Sequence, residues 1–381
     1  MIQLVAANIP AEEQLSHQPG LPLVLTTTER VDTAALLAHI VSQRASLRQR
    51  LSLHGAILFR GCGIDRVEDF EALLSALGIR SQDPNYYYGE VARAVTGSLA
   101  MEPTRVHPDM VIAPHNEQAF WYAQPLFIAF YCADTQARFG QTPLVDCAAV
   151  AASLSPQLRE KLLEAAVVSE YVFDSQEDNP ELVKGQKRNT WQRAFQASSR
   201  EAVETFLGGR SDVTLSWRER NRLHIQVHTG AFARHPTSQA LCFRALRAFD
   251  FPNLQYMLSE LARDQLPLAK RLATQGLAGV GAWLSSSGWV EHRRYAWKTS
   301  LPDLELTRAE HAEITQSLFE HATIFRWHSG DVLVVDNIRA AHGRLNIDAP
   351  RTLHVYMSEN VDQAGFIVAP TGCGSESSGS E

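Results

Sequence analysis

Three residues of this chain combine the types and spacing needed for metal chemistry. His115 and Glu117 stand two positions apart in "APHNEQAF", and His342 stands beside Gly343 in "VVDNIRAAHGRLNIDAPRTLHVYM". Imidazole nitrogen and carboxylate oxygen are the donors that hold divalent metals at His₂Glu sites. An H-x-D/E triplet alone is weak evidence. Three occur here, His107/Asp109, His115/Glu117 and His311/Glu313, where composition alone yields about 1.5. His311 lies in "TRAEHAEITQSLFEH", a charged helical pattern, and on a helix positions i and i+2 do not face each other. On a strand they share a face. "RVHPD" and "APHNE" both allow that, and the apolar run "LFIAFYC" behind His115 favours it over His107 without settling the choice.

The third donor must come from elsewhere. In "DVLVVDN" a buried strand ends at Asp336, a polar loop follows, and His342 comes next. Beside a glycine it reads either as a ligand or as a plain turn histidine. Further on, Arg351 opens an alternating strand; it is a strand-end arginine or a fork for a carboxylate. Two histidines and one carboxylate on one face, with open positions opposite, suit non-heme Fe(II) oxygenases, and His₂Glu also serves zinc hydrolases. The arginine favours the oxygenase, because a bound oxo-acid needs its distal carboxylate held.

The elements that must carry these residues read as follows. Residues 28–55 have helical apolar spacing and a glycine stop, "AILFRG" is a buried strand, and 65–79 is a second amphipathic helix with Asp65 as its cap. From Tyr86 the pattern turns to short alternating runs at 93–99, 110–113, 126–132 and 142–146. Residues 155–168, 198–209, 253–283 and 306–322 read as helices, and "RLHIQVHTGAFARHP" alternates again. Strands on both sides of a helical block predict one β-sandwich with an insertion rather than two domains. The Gly/Ser-rich end predicts disorder.

Bulk composition sets limits. The chain has 381 residues, 45% of them hydrophobic, and 35 basic against 42 acidic residues give a net charge of −7. That balance argues against general nucleic-acid binding. Five widely spaced cysteines without a C-x-x-C motif point to a reduced cytoplasmic protein without disulfides or a thiolate zinc site. The first residues carry no signal-peptide pattern, and no apolar run reaches the ~18 residues of a membrane helix.

Several stretches together resemble the TauD/TfdA-type, clavaminate-synthase-like Fe(II)/2-oxoglutarate-dependent oxygenases, in particular those of secondary metabolism. They are "HGAILFRG", "YYYGEVARAVTG", "PHNEQAF…PLFIAFYCADTQARFGQTPLVD", "WQRAFQASSREAVETF", "GAFARHPTSQALCF" and "FRWHSGDVLVVDNIRAAHGR…PRTLHVYM", in family order, across roughly residues 50–250 and 320–360. The resemblance implies an α+β fold: a double-stranded β-helix (jelly-roll) core with flanking N-terminal helices and a helical insertion. The expected organisation is a single domain over 1–362, the insertion about 253–322, and a flexible tail over 363–381. The family's metal triad falls on His115, Glu117 and His342, its 2-oxoglutarate threonine on Thr142 and its 2-oxoglutarate arginine on Arg351. The threonine spacing decides against His107. Departures at Phe139-Gly140-Gln141, around Phe243-Arg244 and through 253–300 touch the substrate side.

The implied cofactors are Fe(II), 2-oxoglutarate and O₂, and the implied reaction is hydroxylation or desaturation of an unactivated C–H bond. Related halogenases lack the carboxylate, and Glu117 is present, so halogenation is disfavoured. The substrate expected is a small amino-acid-like or carrier-tethered metabolite of a biosynthetic pathway, such as antibiotic biosynthesis. Candidate substrate contacts are Asn116, Arg93, Arg105, Trp121, Tyr122 and Arg244. Core packing is the plain alternative for the two aromatics, and a surface or fold role for Arg93 and Arg105. The basic stretches 184–193 and 288–298 offer a dock for an acidic carrier protein or simply a solvated loop. Two rivals remain at this point: a zinc or manganese jelly-roll hydrolase or isomerase, and a metal-free binding protein.

Overall fold

The computed structural model describes residues 3–29, 32–82, 95–103, 108, 111–178, 181–183, 186–187, 190–246, 297–302 and 304–370. Two sheets form the centre. One has six strands in the order Leu4–Ala7, Leu23–Thr27, Ala56–Phe59, Val332–Asp336, Phe127–Thr135, Arg351–Met357. The other has five, in the order Gln14–Ser16, Ala322–Phe325, Thr142–Asp146, Ala340–Arg344, Ile112–His115. Successive strands from Phe127 to Asp146, and again from Val332 to Met357, alternate between the two sheets. Such winding of antiparallel strands between paired sheets is the jelly-roll arrangement.

Alternation along each strand decides what it buries. Leu58, Leu333 and Val335 point between the sheets and pack with Ile128, Leu144 and Phe325. Their neighbours Ile57, Phe59, Val332 and Val334 point outward, against Leu36, Ile40, Leu47, Leu51, Phe70 and Leu73 of the N-terminal helices. Both faces of these strands are buried, which is why the sequence reads as continuous apolar runs there. The five-stranded sheet is covered on its outer face by helices Cys147–Ser153, Pro156–Glu164 and Arg308–Glu320.

The expected helix over 28–55 is two helices, Thr33–Ser42 and Arg44–His54, capped by the Asp32 side chain at one end and by left-handed Gly55 at the other. The next helix is Val67–Ala76; Arg66, not Asp65, stands at its cap position, without a side-chain hydrogen bond. The expected helix over 155–168 ends at Glu164, and Ala166–Phe173 is a strand. That strand belongs to a four-stranded sheet, in the order Val213–Arg218, Arg222–Gly230, Ala166–Phe173, Trp297–Ser300.

Residues 247–296, most of the expected insertion, lie outside the described residues. Its later part is not wholly helical, because Trp297–Ser300 pairs antiparallel with Ala166–Phe173. The expected tail also needs correction at its start. Residues 363–368 are bonded into the domain: Val368 N–H donates to Phe232 O at 3.0 Å, and Gln363 is buried. Residues 371–381 lie outside the described residues.

Candidate metal centre

His115 ends the edge strand Ile112–His115 and is register partner to His342 on Ala340–Arg344. Antiparallel pairing therefore sets the two imidazoles side by side, with ring centroids 4.7 Å apart. Gly343 permits the close approach: a Cβ there would stand 2.5 Å from Ile112 O and 2.9 Å from Pro114 N. Glu117 is carried back to the pair by the turn after the strand. Its Oε2 lies 3.6 Å from His115 Nε2 and 3.9 Å from His342 Nε2. One donor atom from each residue falls within 4.8 Å of the others, and no other group of three such residues does so among the described residues.

The surroundings fix these donors. His115 Nδ1 lies 3.0 Å from Ala113 O, which makes it the protonated nitrogen and leaves the Nε2 lone pair for a metal. Phe130 packs on the His342 ring at 5.2 Å between centroids. Asn337, which follows the buried strand Val332–Asp336, holds Glu117 at both ends of its peptide. Its Oδ1 accepts from Glu117 N at 2.7 Å, and its Nδ2 donates to Glu117 O at 2.9 Å. Sequence reasoning missed Asn337; its one signal is a polar residue directly after an apolar strand. Gln118, next to Glu117, has φ 55°, a left-handed conformation costing a non-glycine residue about 1 kcal/mol.

Thr142 and Arg351 are linked through the backbone at Gly140. Thr142 opens strand Thr142–Asp146, which pairs with Ala340–Arg344, and it is buried. Arg351 opens its strand in the facing sheet and donates through Nη1 to Gly140 O. Gly140 has φ 87°, and a Cβ there would stand 3.1 Å from that nitrogen, so the guanidinium lies against the backbone two residues before Thr142. Burial pushes the Arg351 guanidinium down to about 10, with Arg344 adding to the effect and Cys132 opposing it. It stays charged at neutral pH. No carboxylate pairs with it among the described residues, so this half-buried cation is available for an anion.

The remaining candidates separate clearly. Arg93, Arg105 and His107 lie outside the described residues. Asn116 is committed to the scaffold: Nδ2 donates to Asn337 O at 2.8 Å, and Oδ1 accepts from Ala245 N at 2.9 Å. Trp121 is fully buried, edge-on to Tyr171 at 4.8 Å. Tyr122 lies under the Arg210 guanidinium at 4.6 Å. Arg244 is buried, and its Nη1 donates to Gly230 O at 2.6 Å. These four residues build the frame of the site. Glu313 bonds Ser155 N at 2.5 Å, away from the triad. Of the basic stretch 184–193, Trp191 is buried and donates to Asn221 O at 3.0 Å.

Residues 17–265, more than half of the chain, match the family described as taurine catabolism dioxygenase TauD, TfdA. The chain belongs to the TauD/TfdA dioxygenase family. It is an Fe(II)/2-oxoglutarate-dependent dioxygenase, and the hydrolase and metal-free rivals fall. The dioxygenase is 25% identical, over 353 residues, to the dapdiamide synthesis protein DdaC of Enterobacter agglomerans, covering 91% of this chain and 93% of that one. It is 26% identical over 147 residues to a clavaminate synthase-like protein of Arabidopsis thaliana, covering 37% of this chain and 44% of the other. Its fold is shared with PvcB of Pseudomonas aeruginosa, with a TM-score of 0.51, 13% identity, and coverage of 96% of this chain and 95% of that one. Another structure of PvcB describes it as an Fe, alpha-ketoglutarate dependent oxygenase from an isonitrile synthetic pathway. The shared fold agrees with the jelly-roll core. Among the described residues, no helix is long and apolar enough to cross a membrane.

Proposed function

We propose that this dioxygenase holds Fe(II) through His115 Nε2, the Glu117 carboxylate and His342 Nε2. It binds 2-oxoglutarate with Arg351 and Thr142, and oxidises an unactivated C–H bond of a small amino-acid-like metabolite in a biosynthetic pathway. The observation that carries this is the convergence of the three donors within 4.8 Å, with the half-buried Arg351 and buried Thr142 on neighbouring strands, in a chain of this family. The biosynthetic setting rests on the likeness to DdaC along 91% of the chain. Presentation of the substrate on a carrier protein is the second form of the same reading. In this proposal the chain acts as one catalytic domain that includes the bonded residues 363–368.

Iron with bound 2-oxoglutarate supplies oxidative decarboxylation to succinate coupled to C–H oxidation. The chain's own residues do the rest. Asn337 and the His115–Ala113 contact keep the donors aimed. The Arg351 guanidinium grips the distal carboxylate of 2-oxoglutarate through charge-assisted hydrogen bonds. The Thr142 hydroxyl donates to the same carboxylate. Phe130, Leu144 and Leu353 exclude water from the sandwich side.

The test is an anaerobic visible spectrum of the protein with Fe(II) and 2-oxoglutarate, beside a His115→Ala variant. A weak charge-transfer band in wild type, absent in the variant, is expected. Iron bound without a band sinks the roles of Arg351 and Thr142. Succinate release with free amino acids against carrier-bound acyl groups then separates the two substrate forms.

A further inference from the structure

We infer that Arg244 and Gln363 are positioning residues for the metal carboxylate: together they lock the turn that carries Glu117, and so make the segment after residue 362 part of the metal centre. The inference rests on the proposed triad.

The turn needs a lock. Glu117 stands two residues past the strand end at His115 and directly before left-handed Gln118, and such a conformation persists only where its surroundings over-determine it. Local bonds supply a first layer, from Trp121 N to Gln118 O at 2.9 Å and Ala119 N to Asn116 O at 3.3 Å. The second layer comes from far away in the chain. Gln363 Nε2 donates to Ala119 O at 3.2 Å, Gln124 Oε1 at 3.0 Å and Gln118 O at 3.4 Å, while its backbone N–H donates to Tyr122 O at 2.9 Å. Arg244 Nη2 donates to both Ala119 O and Gln363 Oε1, the latter at 2.7 Å. One carbonyl, two residues past Glu117, thus takes bonds from both side chains.

Both clamp residues are buried, at 3% and 1% exposure. Arg244's hydrogen-bond partners are neutral oxygens of Gly230, Ala119 and Gln363. A buried guanidinium facing neutral oxygens is costly to the fold, so its placement calls for a reason beyond tying a loop. That reason is geometric: a planar fork reaches Gly230, Ala119 and Gln363 at once and fixes their relative positions. A further tie holds the same segment, since Arg210 bonds Asp362 Oδ1 at 3.0 Å and lies over Tyr122 of the turn.

The test uses full-length protein with Co(II) as the probe, titrated by its visible d–d absorption, in wild type, Gln363→Met and Gln363→Glu. The first variant keeps the shape and loses every side-chain bond. The second keeps the acceptor for Arg244 and turns oxygen toward Ala119 O. We expect the Co(II) dissociation constant to rise about ten-fold in each, as for lost support of metal ligands, with altered d–d intensity. Unchanged affinity and spectrum in either folded variant overturn the inference. A second measurement needs no variant. If the clamp supports the metal, the metal supports the clamp, so Co(II) slows hydrogen exchange of the Gln363 N–H in wild type. Exchange unaltered by bound Co(II) also overturns the clamp. Failure of wild type to bind Co(II) overturns the triad itself, a separate result.

Discussion

At the scale of single residues, the hydroxyl of Thr142 shows how a neighbour sets a role. Trp327 Nε1–H lies 3.1 Å from Thr142 Oγ1, with both residues buried. An indole N–H can only donate, so Oγ1 is the acceptor and the hydroxyl proton is left for an acceptor elsewhere. A 2-oxoglutarate carboxylate is such an acceptor. Trp327→Phe is expected to raise the dissociation constant for 2-oxoglutarate about five-fold, the equivalent of about 1 kcal/mol for one hydrogen bond. Anaerobic titration of the charge-transfer band measures it, and the Co(II) affinity should not move. Arg351→Lys replaces a fork by a point charge. A loss of about ten-fold in 2-oxoglutarate affinity is expected in the same titration, again with the metal affinity unchanged.

At the scale of elements, the site depends on two strands that lie unusually close. Gly343→Ala would push a methyl group into the backbone of Ile112–His115, where no flexible side chain can give way. The expected cost is about 2–3 kcal/mol of stability, read from chemical denaturation, together with loss of Co(II) binding as His342 moves from His115. Helix Arg308–Glu320 gives a pH prediction. Hydrogen bonds from Lys161, then the Thr307 capping box, hold the Glu310 carboxyl down at about 2. A depressed acid stabilises the fold above its unfolded value of about 4.5 and loses that contribution as pH falls toward 2. The difference in melting temperature between wild type and Glu310→Gln should therefore be present at pH 7 and shrink across that window. A difference constant with pH would sink the assignment.

At the scale of the whole molecule, the proposed metal centre and its supports draw on residues from position 115 to position 363: His115 and Glu117, Arg244, Asn337 and His342, and Gln363. Binding at such a centre stabilises the native state as a unit, by about 2.7 kcal/mol at a ligand concentration a hundred times its dissociation constant. Mn(II) with 2-oxoglutarate should accordingly raise the melting temperature, and His342→Ala should abolish that rise. Two truncations from the C-terminal side test residues 363–370 separately from those that follow. Ending it after Pro370 leaves the clamp intact and should preserve metal affinity, whereas ending it after Asp362 removes Gln363 and should weaken it.

What the sequence by itself determined is whatever depends on local pattern or on spacing along one strand. His115 and Glu117 are two residues apart, Thr142 and Arg351 open alternating runs, and buried strands such as "DVLVVDN" are continuous apolar stretches; each is legible because side-chain periodicity is a property of the local backbone. The sequence pattern runs the Pro156–Glu164 helix on to 168 because the apolar residues after it suit a strand as well as a helix, and only pairing with Arg222–Gly230 decides which. The tertiary structure alone decided the use of polar residues. Asn116 and Arg244, expected to meet substrate, instead meet backbone carbonyls and amides, because a buried loop must satisfy its hydrogen bonds wherever the chain brings a partner. Gln363 lay in an expected tail for the same reason: its partners are Tyr122, Ala119 and Gln124, more than 200 positions away, and nothing in its own neighbourhood announces them.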